Sequence, residues 1–356
     1  MMYRKFLLLI AFLLPLSVGT ATAETKGVIA TIKPLHSLVA GVIGDSGTAE
    51  ILVTGNTSPH DFQLKPSQVK NMQDARIIFY IDDVLETFLQ RVFETLPNDV
   101  RKVSLIQDAD LTLLPYRKKE LWEPEEHDDH DDEHHDEHHS DHHDDEHHDE
   151  HHSDHHDDEH HDEHNGDHDD EHHEEHAGHH DHHHPESDYD VHVWLDIENA
   201  KRMIALIVKE LSAVYPEHQD TYRANAQNYI AKLSQLNTEL STYLLPVQNK
   251  PFIVFHDAYQ YLEHAYGLSY AGAITFEGIA PSPNRISMMR ERLKQTKATC
   301  IFKEPQFSDR LIKTVSEGFD MKVGILDPLG AEFAADGDLY FKLLRNLAQN
   351  LKQCLA

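Results

Sequence analysis

Glu217–Leu245, EHQDTYRANAQNYIAKLSQLNTELSTYLL, contains neither Gly nor Pro. Apolar residues recur in it at Tyr222, Ala226, Tyr229, Ile230, Leu233, Leu236, Leu240 and Leu244, the spacing of one helix face. A continuous helix of ~28 residues, at 1.5 Å per residue, is roughly 42 Å long. Such a rod suits a stiff spine between two lobes better than a flexible linker does. A separate helical subdomain is the other arrangement the pattern admits. Ile197–Val214, just upstream of Pro216, has helical spacing as well.

Both flanks of this region alternate between short β-branched runs and helical patterns. Upstream, Val28–Lys33, Ile51–Thr54, Arg76–Ile81 and Lys102–Leu105 read as buried strands, with helical spacing over Pro66–Gln73 and Val84–Leu96. Downstream, Pro251–His256, Leu268–Ile274, Thr299–Phe302 and Lys322–Ile325 read as strands. Ala258–Tyr266, Asn284–Thr296, Asp309–Glu317 and Asp338–Leu351 read as helices between and after them. Alternation of this kind predicts parallel sheets flanked by helices. The expected fold is α/β, with an N-terminal lobe over 24–196, a helical region with the long rigid helix over 197–249, and a C-terminal lobe over 250–356.

The first 23 residues read as a secretory signal. Arg4 and Lys5 precede the apolar run Phe6–Leu14, and Ala21-Thr22-Ala23 supplies a small-x-small cleavage site. The run is too short to span a bilayer and Pro15 follows it, so an anchor is the weaker reading. Without a Cys at the cleavage site, a lipid-anchored form is not expected either. The expectation is an exported, soluble chain beginning near Glu24, with no direct membrane insertion. Its two cysteines, Cys300 and Cys354, would then form one structural disulfide in an oxidising compartment.

One segment distorts the composition. His127–His184 holds 26 His and 26 Asp+Glu among 58 residues, with no Lys or Arg, and so carries 26 of the 32 net negative charges. Outside it, about 46% of residues are apolar, an ordinary globular value. No basic surplus exists anywhere, which excludes nucleic-acid binding through a positive face. The segment is built from tandem copies: Glu133–Asp145 and Glu146–Asp158 are both EHHDEHHSDHHDD. With almost nothing to bury, it reads as a disordered insert in the first lobe. Its imidazoles suit weak, multi-site binding of Zn²⁺, Cu²⁺ or Ni²⁺, and a solvated acidic spacer is the plainer alternative.

Six histidines lie outside the insert: 36, 60, 192, 218, 256 and 264. His218 and His264 sit on helical stretches beside polar residues and are expected to be exposed. His36, at a helix start, is expected to be packed or capping. His60, in Ser58-Pro59-His60-Asp61, follows a strand, and His256 ends one; open α/β sheets bind ligands at such carboxyl ends. His192 lies in Asp190-Val191-His192-Val193-Trp194-Leu195. These three are the candidate ligands.

Four segments in order carry a resemblance: SPHDFQLKPS at 58–67, HVWL at 192–195, FHDAY at 255–259 and LDPLG at 326–330. The stretch KATCIFKEPQF at 297–307 and the late Cys354 strengthen it. Together they resemble the periplasmic zinc-binding proteins of ABC importers, the ZnuA type, over essentially the whole mature chain. The resemblance implies two α/β lobes joined by a long helix, with metal in the cleft between them. It implies His60 and His192 from the first lobe and His256 from the second as ligands of Zn²⁺, with Asp327 matching a carboxylate that completes the site in several relatives. Some close members carry a Glu immediately before the first His. Here that position is Pro59, so Asp327, water or an insert imidazole is left for the fourth place. Asp61 and Asp257, each following a ligand, are candidates for orienting the imidazoles, with surface or capping carboxylates the equal alternative.

The implied function is capture of periplasmic zinc by a monomer and delivery to a membrane permease with its ATPase, with the His-rich insert as a loose collector or sensor. An exported metal buffer or adhesin without an importer is the alternative. So is a manganese or nickel carrier on the same fold. A zinc hydrolase also uses three His with an open position, but the chain has no His-Glu-x-x-His helix and no nucleophile elbow.

Overall fold

A computed structural model describes residues 24–117, 188–275 and 282–356. The expected signal (1–23) and the acidic His-rich insert (127–184) lie outside the described residues. The N-terminal lobe is built from β1 (Thr25–Ala30), α1 (Lys33–Ile43), β2 (Gly47–Ile51), α2 (Pro66–Gln73), β3 (Ile77–Tyr80), α3 (Gln90–Phe93), β4 (Arg101–Ser104) and α4 (Leu105–Asp108). Two long helices follow, α5 (Ile197–Val214) and α6 (Gln219–Leu244). The C-terminal lobe contains β5 (Phe252–His256), α7 (Gln260–Tyr266), β6 (Tyr270–Thr275), α8 (Pro283–Thr296), β7 (Cys300–Lys303), α9 (Asp309–Ser316), β8 (Lys322–Ile325) and α10 (Leu339–Leu355). Both sheets are parallel and have the same topology, with orders β2-β1-β3-β4 and β6-β5-β7-β8.

The central strands show why one core can serve two lobes. Side chains alternate across a strand, so each buried strand needs apolar residues on both faces. Val28, Ala30, Ile77 and Phe79 face a large core, while Ile29, Ile78 and Tyr80 face a smaller one with Met72 of α2. In the second sheet Phe252 and Val254 join that same large core. Ile253, Phe255 and Ile301 face the other way, toward Met289 of α8 and Ile312 of α9. The shared core is filled by α1, α5, α6 and α10, through residues such as Leu35, Ile204, Leu233, Leu236 and Tyr340.

The Glu217–Leu245 stretch is therefore a packed spine. Of its eight periodic apolar positions, all but Ile230 are buried. The helix lies against α5, α1 and α10, elements from both sides of the molecule. At Gly41 of α1, an added Cβ would stand 2.2 Å from the Tyr229 ring, so only glycine lets the spine approach this closely. The lobes are further stitched by Trp194, whose Nε1 donates to Pro328 O at 2.8 Å, and by Lys33, whose Nζ donates to Ala331 O at 2.7 Å. The expected disulfide is present. It joins Cys300 at the start of β7 to Cys354 near the end of α10.

Several local expectations are corrected. The first strand stops at Ala30 because Pro34 occupies the first turn of α1, a position proline favours. The second strand begins earlier, at Gly47, though its hydrogen bonding to the first sheet partner continues to Val53 N–Thr31 O. The expected helix over 84–96 breaks into a 3₁₀ turn at Thr87–Leu89 and the single turn of α3. His218 is buried rather than exposed, because the Pro216–His218 turn folds its ring toward Tyr222, with centroids 5.9 Å apart. His264 is exposed and His36 is packed, with Nε2 3.0 Å from Ala49 O.

Candidate metal centre

Two turns and a strand end deliver the three candidate ligands to one place. Ser58 starts a 3₁₀ turn over Pro59–Asp61 by accepting a hydrogen bond from His60 N at 3.2 Å. His192 precedes the 3₁₀ turn Val193–Leu195, which leads through the Asp196 cap into α5. His256 is the last residue of β5, at the carboxyl end of a central strand. One nitrogen from each of the three lies within 4.8 Å of the others, and theirs is the sole metal-capable group among the described residues. Ring centroids are 4.9–5.6 Å apart. Tetrahedral zinc with bonds of about 2.0–2.1 Å sets its ligand nitrogens about 3.4 Å apart, so closing on an ion requires only a small contraction.

Burial and charge prepare these imidazoles. His192 is 4% exposed and its Nδ1 donates to Asp190 Oδ1 at 2.7 Å, which leaves the Nε2 lone pair for an ion. The same carboxylate oxygen accepts from His192 N, fixing the loop as well as the ring. His256 Nδ1 is 3.5 Å from Glu304 Oε1, and Glu304 is itself held by the Tyr259 hydroxyl at 3.0 Å. His60 Nε2 and both nitrogens of His256 are buried without a hydrogen-bond partner. Unsatisfied buried nitrogens of this kind are costly unless something else uses them. Burial, then repulsion from the other two imidazoles, holds the His60 pKa well below its usual 6.5, so the ring is neutral. Burial pulls His256 the same way, but Glu304, helped by Asp257 and Asp190, outweighs it and the net shift is upward.

The cavity among these residues is about 10 Å³, lined also by Trp194, Phe307 and Pro328. That is room for one water-sized species.

Of the two readings open for Asp61 and Asp257, the structure favours surface and structural carboxylates over orienting ones. Asp61 is exposed, and Asp257 is bound to Arg117 and the Tyr270 hydroxyl. Asp190 takes the role for His192 through its hydrogen bond, and Glu304 stands near His256 as a charge partner. Asp190 was legible as Asp-x-His. Glu304 follows β7 at a strand's carboxyl end, where the rule that selected His256 applies equally. Asp327 lies outside the three-histidine group. Its Oδ1 accepts from Gln306 Nε2 at 2.8 Å and from Leu329 N at 3.0 Å, and its Oδ2 accepts from Ala331 N.

The family model described as "Zinc-uptake complex component A periplasmic" matches residues 28–354. A curated relative from Brucella suis, a high-affinity zinc uptake system protein ZnuA, is 41% identical over 347 residues, covering 97% of this chain and 96% of its own. The protein of the same name from Yersinia pestis is 30% identical, covering 93% and 92%. Among solved structures, a crystal structure of ZnuA superposes with a TM-score of 0.66 at 22% identity, covering 93% of this chain and all of that one. The Zn(II)-bound ZnuA-like domain of Streptococcus pneumoniae AdcA gives 0.60 at 23% identity, covering 92% and 98%. These structural likenesses speak for the fold, and the family match and the relatives at 30% identity or more speak for descent: this chain belongs to the periplasmic zinc-uptake component A family, the ZnuA family.

Proposed function

We propose that this protein captures Zn²⁺ in the periplasm and hands it to the permease of an ABC importer. The observation that carries the proposal is the meeting of three imidazoles from two lobes around a cavity of about 10 Å³. Membership in a family of zinc-uptake components favours carriage over hydrolysis. An all-imidazole set favours zinc over the harder manganese. His60, His192 and His256 are the proposed ligands. Asp190 and Glu304, both buried, supply two negative charges against the two positive charges of the ion. Asp327 would take the fourth place only by giving up its hydrogen bonds from Gln306, Leu329 and Ala331; otherwise water fills it.

The shared core and the spine limit the motion. Zinc would draw the rings together with a small tilt and local loop ordering, not a wide hinge closure. The chain is proposed to act as a monomer, freed of residues 1–23, with the 127–184 segment holding further zinc loosely. No helix among the described residues is long and apolar enough to cross a membrane. Delivery, as opposed to storage, is tested in the cell. Deleting the gene is expected to stop growth under zinc limitation, with rescue by added zinc. Unchanged growth at every zinc level would leave a buffer without an importer.

A pH dependence follows from the ligand chemistry. The ion binds only deprotonated imidazoles, so protons compete with it. His256, with its raised pKa, protonates as pH falls while His60 stays neutral, and affinity should begin to drop above pH 6.5. Below that point the loss is about tenfold per pH unit for the first proton, then steeper as further rings protonate. Competition titrations with a zinc chelator at pH 7.5 and 5.5 measure this. Equal affinities at the two values would exclude imidazole ligation.

A further inference from the structure

The two chain segments that flank residues 118–187 form a small antiparallel stem. Pro115 bridges Tyr189, Tyr116 N donates to Asp188 O at 3.0 Å, and Asp190 N donates to Leu114 O at 2.9 Å. The stem belongs in sequence to the first lobe, yet its partners lie on the second. The Tyr261 hydroxyl of α7 donates to Asp190 O at 2.8 Å and accepts from Leu114 N at 3.1 Å. Gln260 Nε2 donates to Pro115 O at 3.1 Å. Arg117 completes the attachment. Its Nη1 donates to Asp257 Oδ1 at 2.6 Å, its Nη2 to Glu263 Oε2, and its guanidinium carbon stands 3.7 Å from the centre of the Tyr270 ring.

Both carboxylates under Arg117 are buried, Asp257 at 6% and Glu263 at 4% exposure. Burial pushes both carboxyls up, Glu263 to about 8, and the Arg117 guanidinium opposes each shift; a planar fork that bonds each one separately fixes position as well as charge. The position matters because of what each end touches. Asp257 is the residue after His256. The other arm of the stem ends at Asp190, which holds both the backbone and the ring of His192.

We propose that Arg117 is a positioning residue for the metal centre: by clamping the stem of the first lobe onto Asp257 and Glu263 of the second, it sets the separation of His192 and His256. The proposal deepens the capture reading and rests on it. A lysine keeps the charge but not the rigid planar fork, and a methionine supplies neither charge nor donor.

The test is a Co²⁺ titration of the full chain, with the His60→Ala protein as blank for ions bound elsewhere. The His60-dependent visible band reports coordination geometry, which loss of general stability does not alter. Arg117→Met is expected to weaken this site by about 10–100-fold, the usual effect of losing a group that orients a ligand, and to shift the band. Arg117→Lys is expected to recover part of the loss. In an Asp257→Asn background the Arg117→Lys change is expected to do less than it does alone, and this comparison stands even if the methionine variant does not fold. Wild-type affinity and an unshifted band in Arg117→Met, or full additivity of Arg117→Lys with Asp257→Asn, would overturn the inference alone. Absence of any His60-dependent band in the unsubstituted protein would overturn the capture reading and this one with it.

Discussion

Replacing His60 with alanine is expected to abolish the tight zinc site while leaving the apo fold as stable as before. His60 is partly exposed on a turn whose backbone is held by Ser58, and its buried Nε2 makes no hydrogen bond that the substitution would break. Its removal takes away one of the three proposed ligands and gives nothing back. Zinc bound only by the native state stabilises it by about 2.7 kcal/mol at a free concentration 100-fold above Kd, and the variant should gain none of this. Calorimetry with and without zinc, on chains lacking 127–184 so that loose binding does not intrude, reads the difference directly. A zinc-induced rise in Tm that survives the substitution would place the tight site elsewhere.

The second large effect is on stability alone. Cys300 and Cys354 are 54 residues apart in sequence, and closing a loop of that length removes enough freedom from the unfolded chain to contribute about 4 kcal/mol. Both cysteines are buried, so the bridge is shielded from reductants until the lobe opens. The double substitution Cys300→Ala/Cys354→Ala should lower the unfolding free energy in urea by about that amount. Zinc affinity should hardly change. The bridge sits at the amino end of β7, while Glu304 follows the strand's carboxyl end beside the metal centre. A loss below about 1 kcal/mol would mean that the unfolded chain is already compact. A large loss of zinc affinity would mean that the two ends of the strand are coupled.

Much of the fold was legible because its signals are local and repeated. The spine shows seven buried residues at helical spacing, and β5 carries apolar residues on both faces. The 84–96 segment misled because its apolar spacing is helical while its chain turns at Thr87–Leu89. His218 misled because polar neighbours in sequence say nothing about the Tyr222 ring that covers it. The three imidazoles stood out from the residues and from the family resemblance together. The clamp did not, since Arg117, Asp257 and Glu263 are brought together only by packing one lobe on the other. Asp327 illustrates the reverse. Its motif is plain in the sequence, yet its oxygens are engaged by Gln306 and by the backbone of the loop it begins.

Zinc K-edge X-ray absorption on the one-to-one complex of the chain lacking 127–184 counts the nitrogens around the cation. Three imidazole nitrogens at about 2.0–2.1 Å, with one further oxygen at most, are predicted. A shell with one imidazole or none, or one unchanged by substituting His60, His192 or His256, would contradict it.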